Sequence, residues 1–270
     1  MIPGFLAALP MYDFSWTADA QDALWSALAG RLRRAGLAAP ERLTRGGAPE
    51  ATWRDPMLVF GQTCGYPYVT ELERRVALIA TPSFGFDGCE GARHCSFIVS
   101  RRGDKRRGLI AFRGARAALN ARDSNTGMNL FRAALAPLAG GAPFFAAVEI
   151  TGSHAASLSA VAEGRADIAA IDCVTFALLR RRRADLTDAV AILARSALAP
   201  GLPYIASAGL PPDVIEAVRA ALFATLDDPA TAAARATLGL TGAHALRFSD
   251  YAAIAEFERE AVRHGYPELA

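Results

Sequence analysis

Short apolar runs separated by amphipathic stretches set the rhythm of this chain. Residues 5–9, 57–60, 76–80, 94–100, 144–150, 166–171 and 190–194 have the length and bounding residues of buried strands. The same pattern continues through residues 109–112. Residues 18–35 carry Leu24, Trp25, Leu28 and Leu32 at helical spacing, which predicts a helix with one buried face. Further helices are expected at 68–74, near 115–120, from Met128 to Leu138, from Ala155 to Ala162, and from Cys173 to Arg183. Everything after Pro211 reads as helical, at 213–226, 231–238 and 249–265. The apolar opening, Met1 to Pro10, reads as the first buried strand.

Alternating strand and helix predicts an α/β fold with two mixed, mostly parallel sheets flanked by helices. Two stretches break the alternation. Residues 81–91 are rich in glycine and aromatics, and 198–204 holds two prolines and a glycine. Breaks on both sides of a central insert predict two lobes joined by two hinges, near 81–93 and 194–204. Lobe 1 is then 1–88 plus 200–270, and lobe 2 is 89–199. Ligands of open α/β sheets bind beyond the carboxyl ends of strands. That rule gathers Tyr12, Gln62, Thr63, Tyr66, Ser124, Asn125, Thr126, Gly127, Ser153, His154 and Asp172 at one cleft between the lobes.

Two segments there carry candidate chemistry: Asp123-Ser124-Asn125-Thr126-Gly127 and Thr151-Gly152-Ser153-His154. Each places small hydroxyl or amide residues and a glycine directly before a helical pattern. A helix start has unpaired N–H groups and a partial positive charge, so it is a natural seat for an anion. Ser124 and Thr126 would add hydroxyl donors, His154 a ring N–H. The plainer reading is that serine and asparagine are ordinary helix caps. Asp172 has two readings as well. As a cap it would start the helix at Cys173. Beside an anion a carboxylate is costly unless a proton lies between them, so it would accept from a protonated oxygen or a ligand amine. Tyr12 could add a hydroxyl and an apolar wall, while Tyr66 before Pro67 also suits a loop anchor.

Composition narrows the field. The 270 residues are 52% hydrophobic and 21% charged, with a net charge of +2, which gives no argument for nucleic acid or an anionic membrane. The one dense basic run, Arg180 to Arg183, suits the solvated last turn of a helix. No apolar stretch approaches the ~20 residues a spanning helix needs, so no membrane insertion is expected. The N-terminus lacks the basic region of a signal peptide. Cys89, His94 and Cys95 are not completed into a zinc set, and no metal or cofactor is expected. A disulfide among Cys64, Cys89 and Cys95 is open if the protein is exported.

The segments Ser124-x-Thr126-Gly127, Gly152-Ser153-His154 with Ser157-Leu158, and Ala166 through Asp172 together resemble the PhnD-like phosphonate and phosphate substrate-binding proteins of ABC importers, members of the type II periplasmic-binding-protein fold. Pro200 through Tyr204, Gln62 through Pro67 and Gly265-Tyr266-Pro267 extend the likeness over nearly the whole chain. The resemblance implies a monomeric, hinge-closing binder without catalytic residues, which takes a small oxyanion (phosphonate, phosphate or phosphite) to an ABC permease. It implies that Ser124, Thr126 and His154 hold the oxyanion, that Asp172 faces it, and that an aromatic of the first lobe assists. It implies a periplasmic location, against which stands the absent leader; the alternative is cytoplasmic. Other readings are a leaderless enzyme of the same fold, similar to the menaquinone-pathway proteins and using His154 with Asp172, or a ligand-sensing domain.

Overall fold

The computed structural model describes residues 4–270, so Met1 to Pro3 of the first predicted strand lie outside the described residues. The chain divides into two compact units. Unit 1 comprises the residues up to Gly85 together with Gly201–Asp250; unit 2 comprises Phe86–Pro200 and Tyr251–Ala270.

Unit 1 is built on a five-stranded sheet. Leu6–Ala8 lies parallel to Leu58–Gln62, which is followed across the sheet by Tyr204–Ser207, Val76–Phe84 and Leu240–His244 in antiparallel pairings. The Ala18–Arg34 helix covers it with the predicted face: Leu24, Trp25, Leu28 and Leu32 are buried. Asp19 in its first turn and Arg31, Arg33 and Arg34 in its last complement the helix dipole. Trp25 stacks on Phe60 at 6.0 Å between ring centroids, and Phe60 meets Tyr204 at 5.0 Å. Each such side chain withdrawn from water contributes about 1.5–3 kcal/mol.

Unit 2 has its own five-stranded sheet, in the order Val190–Arg195, Ser96–Arg101, Ile168–Asp172, Arg116–Leu119, Ala147–Ile150. The last three strands run parallel, whereas Ser96–Arg101 is antiparallel to both its neighbours. Ile168–Asp172 is buried at every position, as a central strand covered on both faces must be. Each parallel strand feeds a helix: Leu130–Ala139, His154–Ala162 and Cys173–Arg182. The exposed run Arg180, Arg181 and Arg182 forms the last turn of the third, as expected.

Several expected elements differ. Residues 115–120, expected as a helix, are the strand Arg116–Leu119. Its alanines carry no strand propensity of their own, and pairing on both sides decides the conformation. Residues 109–112 form a 3-10 turn rather than a strand. The helix expected at 68–74 is Gly65–Thr70, which admits Pro67 in its first turn, where no N–H is needed. The region after Pro211 includes a strand, Leu240–His244, held by pairing along Val76–Phe84.

The terminal helix Ala252–Arg263 belongs to unit 2, not to the unit that holds residues 201–250. Long-range bonds fix it there. Asn129 Nδ2 donates to the Ile254 carbonyl (2.9 Å), and buried Arg132 donates to the Pro267 carbonyl (2.5 Å) and faces Glu258. The chain passes between the two units after Gly85, Pro200 and Asp250.

Candidate functional site

The three parallel strands of unit 2 end on one edge of the sheet, and the three helices that follow begin there. Ser124, Ser153 and Asp172 are the capping residues. Ser124 Oγ accepts from the Gly127 amide (2.9 Å), Ser153 Oγ from the Ala156 amide (3.1 Å), and Asp172 Oδ1 from the Thr175 amide (2.7 Å). Capping and ligand binding are compatible here. A serine oxygen that accepts an amide still has its own hydrogen to direct elsewhere, and the second oxygen of Asp172 lies 3.3 Å from His94 Nδ1 with lone-pair capacity beyond that one contact.

The first helix starts with a π-turn over Asn125–Asn129 before Leu130. Its residues Ser124, Asn125, Thr126 and Gly127 are all buried. Asn125 Oδ1 accepts from Asn129 Nδ2 (3.1 Å), so it serves the helix itself. Thr126 is the junction: its Oγ1 lies 3.0 Å from His154 Nε2, and its carbonyl accepts from Ser96 Oγ (2.7 Å). Ser96 in turn pairs with Asp172 across the sheet. Thr126, His154 and Asp172 are thus brought to one place. Ser153 is the exposed member of the set.

Two residues that the sequence reading did not select complete this edge. Asn120 follows the Arg116–Leu119 strand, and its side chain lies so close over Gly127 that a Cβ there would fall 1.7 Å from Asn120 Oδ1. That oxygen is buried without a hydrogen-bond partner among the described residues. His94 is buried, with Nδ1 3.3 Å from Asp172 Oδ2 and Nε2 buried without a partner. Burial holds the His94 pKa below the ordinary imidazole range, opposed by the negative charge of Asp172. Burial likewise depresses His154, against Asp172 and the Ala170 carbonyl and with help from His94. Burial thus disfavours the charged form of both rings.

The candidates in unit 1 sit at the carboxyl end of its parallel pair. Tyr12 has a left-handed backbone (φ +60), uncommon for a bulky residue. Its carbonyl accepts from Thr17 Oγ1 (2.7 Å), and its ring meets Phe84 edge-on at 5.5 Å. Gln62 is occupied structurally: Nε2 donates to the Leu202 carbonyl (3.2 Å), and its own carbonyl accepts from Trp53 Nε1. Thr63 is buried, its amide donating to the Pro203 carbonyl (3.1 Å). Tyr66 is half-buried in the Gly65–Thr70 helix.

Among the described residues no cluster of histidine, cysteine and carboxylate side chains has the geometry of a metal site, and no helix is long and apolar enough to cross a membrane. All four cysteines are free thiols.

Residues 58–251 match the family model described as the phosphonate periplasmic substrate-binding protein of ABC transporters. No curated protein matches by sequence. Among solved structures, a binding-protein component of an ABC phosphonate transporter from Pseudomonas aeruginosa aligns with a TM-score of 0.78 at 13% identity, over 97% of this chain and 87% of that one. PhnD1 from Prochlorococcus marinus, in complex with methylphosphonate, aligns with a TM-score of 0.75 at 14% identity, over 97% and 99%. A Xanthomonas citri protein bound to chloride gives 0.75 at 16%, over 96% and 98%. These likenesses establish the periplasmic-binding-protein fold, α/β with mixed sheets flanked by helices. The family model covers most of the chain, and the chain belongs to the family of phosphonate substrate-binding proteins of ABC transporters, which are binders rather than enzymes.

Proposed function

We propose that this protein binds a protonated phosphorus oxyanion, a phosphonate, phosphate or phosphite, at the carboxyl edge of the unit 2 sheet and delivers it to an ABC permease. A small-molecule ligand and a permease come with the family; a periplasmic location and a monomeric state are part of the proposal. One observation carries it: three helix N-termini open on a single sheet edge beside a buried carboxylate, Asp172. Ser124, Thr126, Ser153, His154 and the amides of the first helical turns supply donors for the anion. Asp172 accepts the proton that such an anion keeps near neutrality. Fully ionised sulfate has no proton to give, which leaves the carboxylate facing unpaired negative charge.

The test is calorimetric titration of Thr126→Val and Asp172→Asn with methylphosphonate. Asparagine can still cap at 172, so the fold is retained. Each variant is expected to lose about tenfold or more in affinity, the worth of one hydrogen bond to a charged group. Unchanged affinity in both, with normal circular dichroism, would remove the site.

A further inference from the structure

Beside the proposed anion seat, unit 2 gathers three thiols whose side chains the proposed binding does not use. Cys89 lies in the short strand Cys89–Glu90, which pairs with Arg93–His94; Cys95 follows; and Cys173 opens the helix Cys173–Arg182. Cys89 Sγ and Cys173 Sγ are 3.5 Å apart. The Cys173 thiol is also hydrogen-bonded with Cys95. Gly88 permits this contact. It has φ +86, and a Cβ there would fall 2.8 Å from Cys173 Cβ and 3.0 Å from Cys95 Sγ. The backbone next to Cys89 therefore lies directly on the head of the helix. Cys95 and Cys173 are buried, but Cys89 is half-buried and lines a cavity of 230 Å³ together with Asp87, Cys95 and Arg195.

We propose that Cys89 and Cys173 are a dithiol pair that closes to an intramolecular disulfide by exchange with an external disulfide admitted at this cavity. The Cys89 thiolate attacks one sulfur of the oxidant, forming a mixed disulfide and releasing one thiol. Cys173 then attacks Cys89 Sγ and releases the second. Two protein thiols lose two protons and two electrons; the oxidant's S–S bond is reduced to two thiols. The Cys173 proton goes to the departing thiolate. Bonding requires the two sulfurs to close by about 1.5 Å, from 3.5 Å to the ~2.05 Å of an S–S bond. Cys64, in unit 1, takes no part. The closed pair would tie the hairpin ending at His94 to the residue next to Asp172, fixing both sides of that contact.

The test uses the intact, reduced protein incubated with oxidised glutathione, alkylated and digested with trypsin. Cys64, Cys89, Cys95 and Cys173 fall on four different tryptic peptides, 55–74, 76–93, 94–101 and 166–180. Titratable thiols are expected to fall from four to two, with a crosslink between peptides 76–93 and 166–180. Cys89→Ser should abolish the crosslink, and Cys64→Ser should leave it. Four persisting thiols, a stable glutathione adduct without a crosslink, or a crosslink through 94–101 or 55–74 would overturn the proposal.

Discussion

Gly127→Ala separates this account from ordinary helix energetics, which predicts a gain in stability where the packing here predicts none. Gly127 lies in the turn that opens a helix, with no positive φ. Replacing a helical glycine by alanine normally stabilises by roughly 1 kcal/mol. At this position the new Cβ would stand 1.7 Å from Asn120 Oδ1, 2.9 Å from Asn120 Cγ and 3.1 Å from His154 Cε1. Asn120 cannot keep its place, and overpacking of this kind costs about 1–3 kcal/mol. Subtracting the propensity gain leaves a change from about zero to a loss of about 2 kcal/mol, in place of the usual gain. Displacement of His154 should also weaken anion binding. Urea unfolding followed by circular dichroism measures the first effect and calorimetric titration the second. Asn120→Ala removes the obstructing atoms, so the double variant should regain the lost stability, with a coupling energy of about 1 kcal/mol or more. A Gly127→Ala protein that is more stable than the parent would refute the packing described around Asn120.

Two further outcomes are expected. His94 and His154 have folded-state pKa values below the ordinary 6.5, chiefly from burial, so the folded protein binds fewer protons than the unfolded chain on acidification. Their contribution to stability is complete above pH 6.5 and declines as the pH falls below it; a Tm series from pH 8 to 5 should drop on the acid side, and His94→Gln should flatten the drop. Arg132→Ala removes the donor that Asn129 Oδ1 (2.8 Å) and the Pro267 carbonyl share, at a cost of about 2–3 kcal/mol. Limited proteolysis should then release the segment after residue 250, and an unchanged digestion pattern would contradict its placement in unit 2.

The legible parts of the sequence were those where local pattern and final environment agree. The Ala18–Arg34 helix shows its buried face at helical spacing, and the runs around Val99 and Ile171 are apolar enough to be strands in any context. Arg116–Leu119 was not legible, because Ala117 and Ala118 become strand only through partners on both sides. The unit to which Ala252–Arg263 belongs depends on Asn129 and Arg132, more than a hundred residues away. In the site, Ser124, Ser153 and Asp172 announced themselves as caps before helical runs, which is what they are. His94 and Asn120 carried no such signal. One reaches Asp172 through the hairpin turn at Cys89–His94, and the other stands over Gly127 at a strand end.

The most direct measurement is a calorimetric titration of the unmodified protein at neutral pH with methylphosphonate, phosphate, phosphite, sulfate and a dicarboxylate such as adipate. The account predicts saturable binding of at least one phosphorus oxyanion, with sulfate weaker by tenfold or more. Sulfate binding as tightly as the best phosphorus ligand, or heat from the dicarboxylate alone, would contradict it.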